Sequence, residues 1–151
     1  MSIVQEYQAI LIVEDSPEDY EATRRALMRA GLHNGFHHCE DGDEALDYLY
    51  HRGKFEDPAR SPRPGIILLD LNLPGTDGRQ VLDIIKQDEF LKDIPVIVLT
   101  TSNDPRDIDS CYKSGANSYV QKPVGLDNFM ESIQRLHDYW FEIVVYPKNT
   151  D

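Results

Sequence analysis

Ile66-Ile67-Leu68-Leu69-Asp70-Leu71-Asn72-Leu73-Pro74-Gly75-Thr76-Asp77-Gly78 is an apolar run that stops on one carboxylate and then turns. Four apolar residues without alternation read as a strand covered on both faces, the condition of strands in a parallel sheet flanked by helices. Asp70 then stands at the strand's carboxyl end. In open parallel sheets, ligands and chemistry gather in the crevice outside those ends, so an acid there is either a turn cap or a site.

The same pattern repeats on both sides of this strand. Ala9-Ile10-Leu11-Ile12-Val13 is a short apolar run, and Ser16-Pro17-Glu18 supplies an N-cap, a first-turn proline and an early acid for a helix ending near Gly31. Phe36 to Cys39 is a weaker strand, and Ala45, Leu46 and Leu49 give a short helical face. Val81, Leu82 and Ile85 are the apolar face of a helix after Gly78. Pro95 opens the strand Val96 to Leu99, Pro105 starts a helix running to Ser114, and Ser118 to Gln121 is a fifth strand. Phe129, Ile133, Leu136 and Trp140 recur at helical spacing, so the last helix buries that stripe. Five β-α units predict a doubly wound, three-layer α/β domain. Residues His51 to Pro64 are polar and proline-punctuated, and read as a surface loop.

The chain has 151 residues, one domain's worth, which leaves no room for a second effector domain. Cys39 and Cys111 lie far apart, no C-x-x-C occurs and the amino terminus lacks a signal pattern, so the expected setting is the reducing cytoplasm. No stretch has membrane-spanning length. The net charge of −12 and the dispersed Lys and Arg residues argue against nucleic acid as a partner. The five histidines show no metal-ligand spacing with acids or cysteines.

Chemistry collects at the strand ends. The first strand ends on Glu14-Asp15, the third on Asp70, the fourth on Thr100, and the fifth leads to Lys122-Pro123. In a parallel sheet these ends share one rim, so three carboxylates, a hydroxyl and an ammonium converge. Acids that close either take up protons or hold a hard divalent cation, for which Mg2+ is the natural occupant.

With these residues in this order, the chain resembles the response-regulator receiver domains of two-component signalling over about residues 8 to 139. The resemblance implies a five-stranded parallel sheet in a flavodoxin-like sandwich. It also implies one receiver domain spanning residues 1–151, with a C-terminal extension from about residue 140. Asp70 matches the phospho-accepting aspartate, Glu14 and Asp15 the acidic pair that holds Mg2+, and Asn72 the residue whose backbone carbonyl is a further metal ligand. Lys122 matches the lysine that pairs with the phosphoryl group, Thr100 the switch hydroxyl, Tyr119 the switch aromatic, and Pro123 a proline that follows through a cis peptide. Glu14 departs from the pattern in which Asp is also common at the first acid. The implied partner is a histidine kinase, and the chain is no enzyme beyond its own phosphorylation and dephosphorylation.

The long loop before the third strand and the ending Tyr139 to Pro147 look like single-domain regulators of phytochrome-type kinases; the alternative is a chemotaxis-type regulator docking on a motor or switch protein. An aspartyl-nucleophile phosphatase is disfavoured, because Asn72 stands where such enzymes carry a general acid. Phe141, Ile143 and Val145 alternate with Glu142, Val144 and Tyr146, which predicts an extended segment that pairs in a homodimer. The output is a contact with a downstream protein that the sequence leaves unnamed.

Overall fold

The computed structural model describes residues 9–32 and 35–142. Five strands, β1 (Ala9–Val13), β2 (Phe36–Cys39), β3 (Pro64–Leu69), β4 (Val96–Thr100) and β5 (Ser118–Gln121), form one parallel sheet in the order β2-β1-β3-β4-β5. Between and after them run α1 (Pro17–Arg29), α2 (Gly42–Tyr50), α3 (Gly78–Gln87), α4 (Pro105–Ser114) and α5 (Leu126–Glu142). The doubly wound architecture predicted from the sequence is the one found.

Alternate side chains of each buried strand enter opposite cores, as the period-two geometry of a strand requires. Leu11 and Val13, Ile67 and Leu69, and Val96 and Val98 pack with Leu46 and Leu49 of α2, Val81, Leu82 and Ile85 of α3, and Cys111 of α4. Ile10 and Ile12, Ile66 and Leu68, and Ile97 and Leu99 pack with Ala26 and Leu27 of α1 and with Phe129, Ile133, Leu136 and Trp140 of α5. Each fully buried Leu or Ile contributes about 1.5–3 kcal/mol, which makes the two cores the rigid floor beneath the rim.

Local signals set the ends of the elements. Ser16 caps α1 by accepting from the Asp19 N–H, with Pro17 in the first turn. Gly115, at φ 107°, closes α4. Gly78 opens α3 hard against the chain leaving β3: its N–H donates to the Leu71 carbonyl at 2.9 Å, and a Cβ there would lie 2.2 Å from the Asp70 carbonyl oxygen.

Two boundaries differ from the sequence reading. β3 begins at Pro64, two residues before the apolar run, because a proline is tolerated at the first position of a strand; it lies opposite Ala9. The last helix continues through Phe141 and Glu142, so the extended segment does not begin at Phe141. Residues 143–147, the remainder of that expected strand, lie outside the described residues. The insertion after α2 is mostly exposed, yet it is tied down: Tyr48 donates to the Pro62 carbonyl at 2.7 Å, and the His51 ring nitrogen lies 2.8 Å from the Ser61 carbonyl oxygen.

Candidate functional site

The order of the sheet turns around between β1 and β3: β2 lies on one side of β1, and β3 to β5 follow on the other. Such a switch point opens a crevice outside the strand ends. Glu14 and Asp70 leave the sheet at this point at the same level. The Glu14 N–H donates to Cys39 at 3.0 Å and the Asp70 N–H to Val13 at 3.1 Å, continuing the ladder by one residue on each strand.

One carboxylate oxygen from each of Glu14, Asp15 and Asp70 lies within 4.8 Å of the others. Glu14 and Asp70 are buried and Asp15 is exposed, so the group opens on one side. Backbone donors orient the two buried acids: Ser16 N–H donates to Glu14 Oε2 and Asn72 N–H to Asp70 Oδ1, each at 3.3 Å.

Lys122 enters from the end of β5, where its N–H donates to the Thr100 carbonyl at 2.6 Å. Its buried ammonium lies 2.5 Å from Glu14 Oε1, 3.0 Å from Asp19 Oδ2 and 3.2 Å from Asp70 Oδ2. Burial pushes the Glu14 carboxyl up to about 7, against the hydrogen bond and charge of Lys122 and with the help of the Asp70 charge. Burial also opposes the Lys122 charge, but the hydrogen bond and charge of Glu14, the charge of Asp70 and the Asp19 bond outweigh it and hold the ammonium above the ordinary lysine value. The two shifts have different causes: burial raises Glu14, whereas Glu14, Asp70 and Asp19 hold the proton on Lys122. The surplus negative charge and the all-oxygen donor set fit a hard divalent cation such as Mg2+.

Thr100 is fully buried at the end of β4, in the strand next to Asp70. Its Oγ1 accepts from the Ser102 N–H at 3.4 Å, and the Tyr119 hydroxyl donates to the Ser102 carbonyl at 2.9 Å. Ser102 Oγ donates to Asp107 at 2.7 Å, and Arg79 of α3 clamps Asp107 through two bonds of 2.8 Å. The loop after Thr100 is therefore held by β5 and, through Asp107, by α3.

Sequence reasoning brought Glu14, Asp15, Asp70, Thr100 and Lys122 to one rim, and the structure does the same. Asn72 follows Asp70 on an exposed turn. The cis expectation for Pro123 is corrected: among the described residues there is no cis peptide bond, so Lys122-Pro123 takes the trans form that X-Pro bonds intrinsically favour. Two neighbours were missed. Asp19 reads in sequence as an ordinary first-turn acid. The His38 ring stacks on Tyr20 at 3.7 Å, and its Nε2 lies 2.7 Å from the Glu14 carbonyl oxygen, a contact across the β1–β2 pair whose register sets His38 opposite Ile12.

Residues 10–134 match the response regulator receiver domain family. The chain belongs to that family. It is 39% identical over 140 residues to the response regulator Rcp1 of Synechocystis sp., covering 93% of each protein. The crystal structure of the Mn2+-bound form of Rcp1 superposes with a TM-score of 0.87 at 39% identity, covering 93% of this chain and 99% of that one. The phosphorylated cyanobacterial phytochrome response regulator RcpA superposes with a TM-score of 0.87 at 36% identity and the same coverage. Rcp1 was solved in a Mn2+-bound form, and in this chain Glu14, Asp15 and Asp70 form a group that could hold a divalent cation. Among the described residues, no helix is long and apolar enough to cross a membrane.

Proposed function

We propose that this chain is a single-domain, cytoplasmic response regulator that accepts a phosphoryl group on Asp70 from a histidine kinase of the phytochrome type and signals through a phosphorylation-dependent protein contact. The observation that carries the reading is the buried Asp70 carboxylate, flanked by Glu14 and Asp15 and facing the Lys122 ammonium at 3.2 Å. The likeness to RcpA supports the kinase class. Glu14, Asp15 and Asp70, with the Asn72 carbonyl, would hold Mg2+, which would supply positive charge to the phosphoryl oxygens.

Asp70 acts as the nucleophile. One of its carboxylate oxygens bonds to phosphorus as the phosphorus-nitrogen bond of the kinase phosphohistidine breaks, and the nitrogen keeps that electron pair. Asn72 N–H on Oδ1 and Lys122 on Oδ2 fix the carboxylate before attack. In the acyl phosphate, Lys122 redirects a donor to a phosphoryl oxygen, and Thr100 donates its hydroxyl proton to another. Movement of Thr100 pulls on Ser102, and Tyr119, bound to the Ser102 carbonyl, carries the change to the α4 and β5 surface. Asn72 offers no general acid to hydrolyse the product, which favours a phosphoryl carrier over a turnover phosphatase.

Incubation with Mg2+ and phosphoramidate, read by intact mass, tests the reading. One phosphoryl group per chain in the natural protein and none in Asp70→Asn is expected; stoichiometric labelling of Asp70→Asn refutes it.

A further inference from the structure

The Lys122 ammonium has three N–H donors, and three carboxylates take them all: Glu14, Asp19 and Asp70. Two of these acceptors, Glu14 and Asp70, also belong to the group that can hold a cation, whereas Asp19 stands outside it. Ammonium and cation therefore share the same two carboxylates. Asp19 is the one of the three partners that lies outside the cation's group and so is left to Lys122 alone when a dication enters.

Asp19 is well placed to keep it. The first turn of α1 fixes its backbone, with the N–H on Ser16 Oγ at 3.2 Å and the carbonyl accepting from Thr23 Oγ1 at 2.8 Å. Its side chain is 40% exposed, so water is available to it, yet it reaches inward to an ammonium whose side chain is only 5% exposed.

We infer that Asp19 is a positioning residue that draws the Lys122 ammonium toward α1, clear of the cation's place and ready for a phosphoryl oxygen on Asp70. This rests on the receiver reading above. Without Asp19, the ammonium collapses onto Glu14 and Asp70 and excludes the cation. With it, both charges fit, because the ammonium retains a full negative partner on the side away from the metal group.

Calorimetric titration of the full chain with Mg2+ alone, and separately with Mn2+, reads this directly. Asp19→Ala is expected to weaken binding about tenfold, the loss of one charge-assisted hydrogen bond. Asp19→Asn, which still accepts from the ammonium, recovers part of that loss. Glu18→Gln removes the same charge from the same turn without touching Lys122, and is expected to change affinity by less than about twofold. In a Lys122→Met background, the further change Asp19→Ala is expected to act no more strongly than Glu18→Gln, because the residue acts only through the ammonium. Equal effects of Asp19→Ala and Glu18→Gln in the natural background overturn the inference, as does a tenfold loss that persists without Lys122. A natural protein that takes up phosphoryl and binds Mg2+ while Asp19→Ala is unchanged removes the inference and leaves the receiver reading standing. A natural protein that neither binds Mg2+ nor accepts phosphoryl removes both.

Discussion

Replacing Lys122 with methionine keeps the length and most of the volume of the side chain and deletes one charge. The ammonium and its Glu14 and Asp70 partners are 5%, 5% and 9% exposed, so little solvent stands ready to compensate. Removing one partner of a buried pair typically costs about 3–5 kcal/mol. Glu14 limits the loss by taking a proton, which its carboxyl already does near pH 7 with Lys122 present. The metal-free variant is therefore expected to be about 3 kcal/mol less stable at pH 8, roughly 6–12 °C in Tm for a chain of this size. The sign of its pH dependence follows from the raised value. An acid whose folded pKa exceeds the unfolded one, here above 4.5, costs the folded state nothing below the unfolded value and progressively more up to the folded value. In the natural protein that rise ends near pH 7, whereas in Lys122→Met it continues higher. The gap between the two proteins should thus widen above pH 7 by about 1.4 kcal/mol per unit until the variant's own pKa is passed. Mg2+ should narrow it, because a cation binding only the folded state adds stability by mass action and meets more unpaired negative charge in the variant. Urea unfolding at pH 7, 8 and 9, with and without Mg2+, measures all three quantities. A deficit flat in pH and indifferent to Mg2+ would refute the crowded-carboxylate account.

Gly78→Ala should cost about 3 kcal/mol in urea unfolding and depress phosphorylation together, since its Cβ meets the Asp70 carbonyl; Gly53→Ala, whose φ of 58° strains an alanine although its Cβ would meet nothing, serves as the destabilised control and should leave phosphorylation intact. Asp107→Asn should lose about 1 kcal/mol at pH 7, modest because the Arg79 and Asp107 side chains remain 34% and 20% exposed. The hydrogen bonds of Arg79 and then Ser102 hold the Asp107 carboxyl down to about 2, so that contribution is complete above the ordinary value of 3.8 and fades as pH falls toward 2. Thr100→Ala should accept phosphoryl at near-normal yield while losing the phosphorylation-dependent change in Tyr119 fluorescence; equal changes in both proteins would separate Thr100 from the switch. Truncation after Glu142, which spares the buried Trp140, should convert a sedimenting homodimer into a monomer that still accepts phosphoryl; a full-length monomer at micromolar concentration would overturn the dimer.

The fold was readable wherever one physical signal dominated. The strands Ala9–Val13 and Val96–Thr100 are buried at every position because helices cover both faces, and among the described residues no helix carries that pattern. Ser16-Pro17 and Pro105 mark helix starts through φ preference and the absent N–H, both local properties. The misreadings occurred where a local signal was overridden. Pro64 and Gly65 look like loop but belong to β3, because Pro64 lies opposite Ala9 at the strand's first position, where no ladder bond needs its nitrogen. The alternation that starts at Phe141 is too short for its period to decide between strand and helix. At Phe141 and Glu142 the helix anchored by Trp140 simply continues.

At the rim, legibility followed sequence position relative to the strands. Glu14, Asp15, Asp70, Thr100 and Lys122 were found because a parallel sheet brings its carboxyl ends together whatever the loops between them do. Asp19 and His38 could not be found that way, since neither ends a strand at the switch point. Asp19 reaches the site across 103 residues of sequence, from the first turn of α1 to the lysine that follows β5. His38 reaches it from β2, whose register with β1 sets it opposite Ile12, and its ring stacks on Tyr20 of α1. Asp19 thus depends on where α1 lies, and α1 is held by the apolar core it shares with α5 and the sheet. The electrostatics of the acidic group are accordingly tied to that core: a change at Leu27 or Ile133 that tilts α1 would move Asp19 away from Lys122 without touching any residue of the site itself.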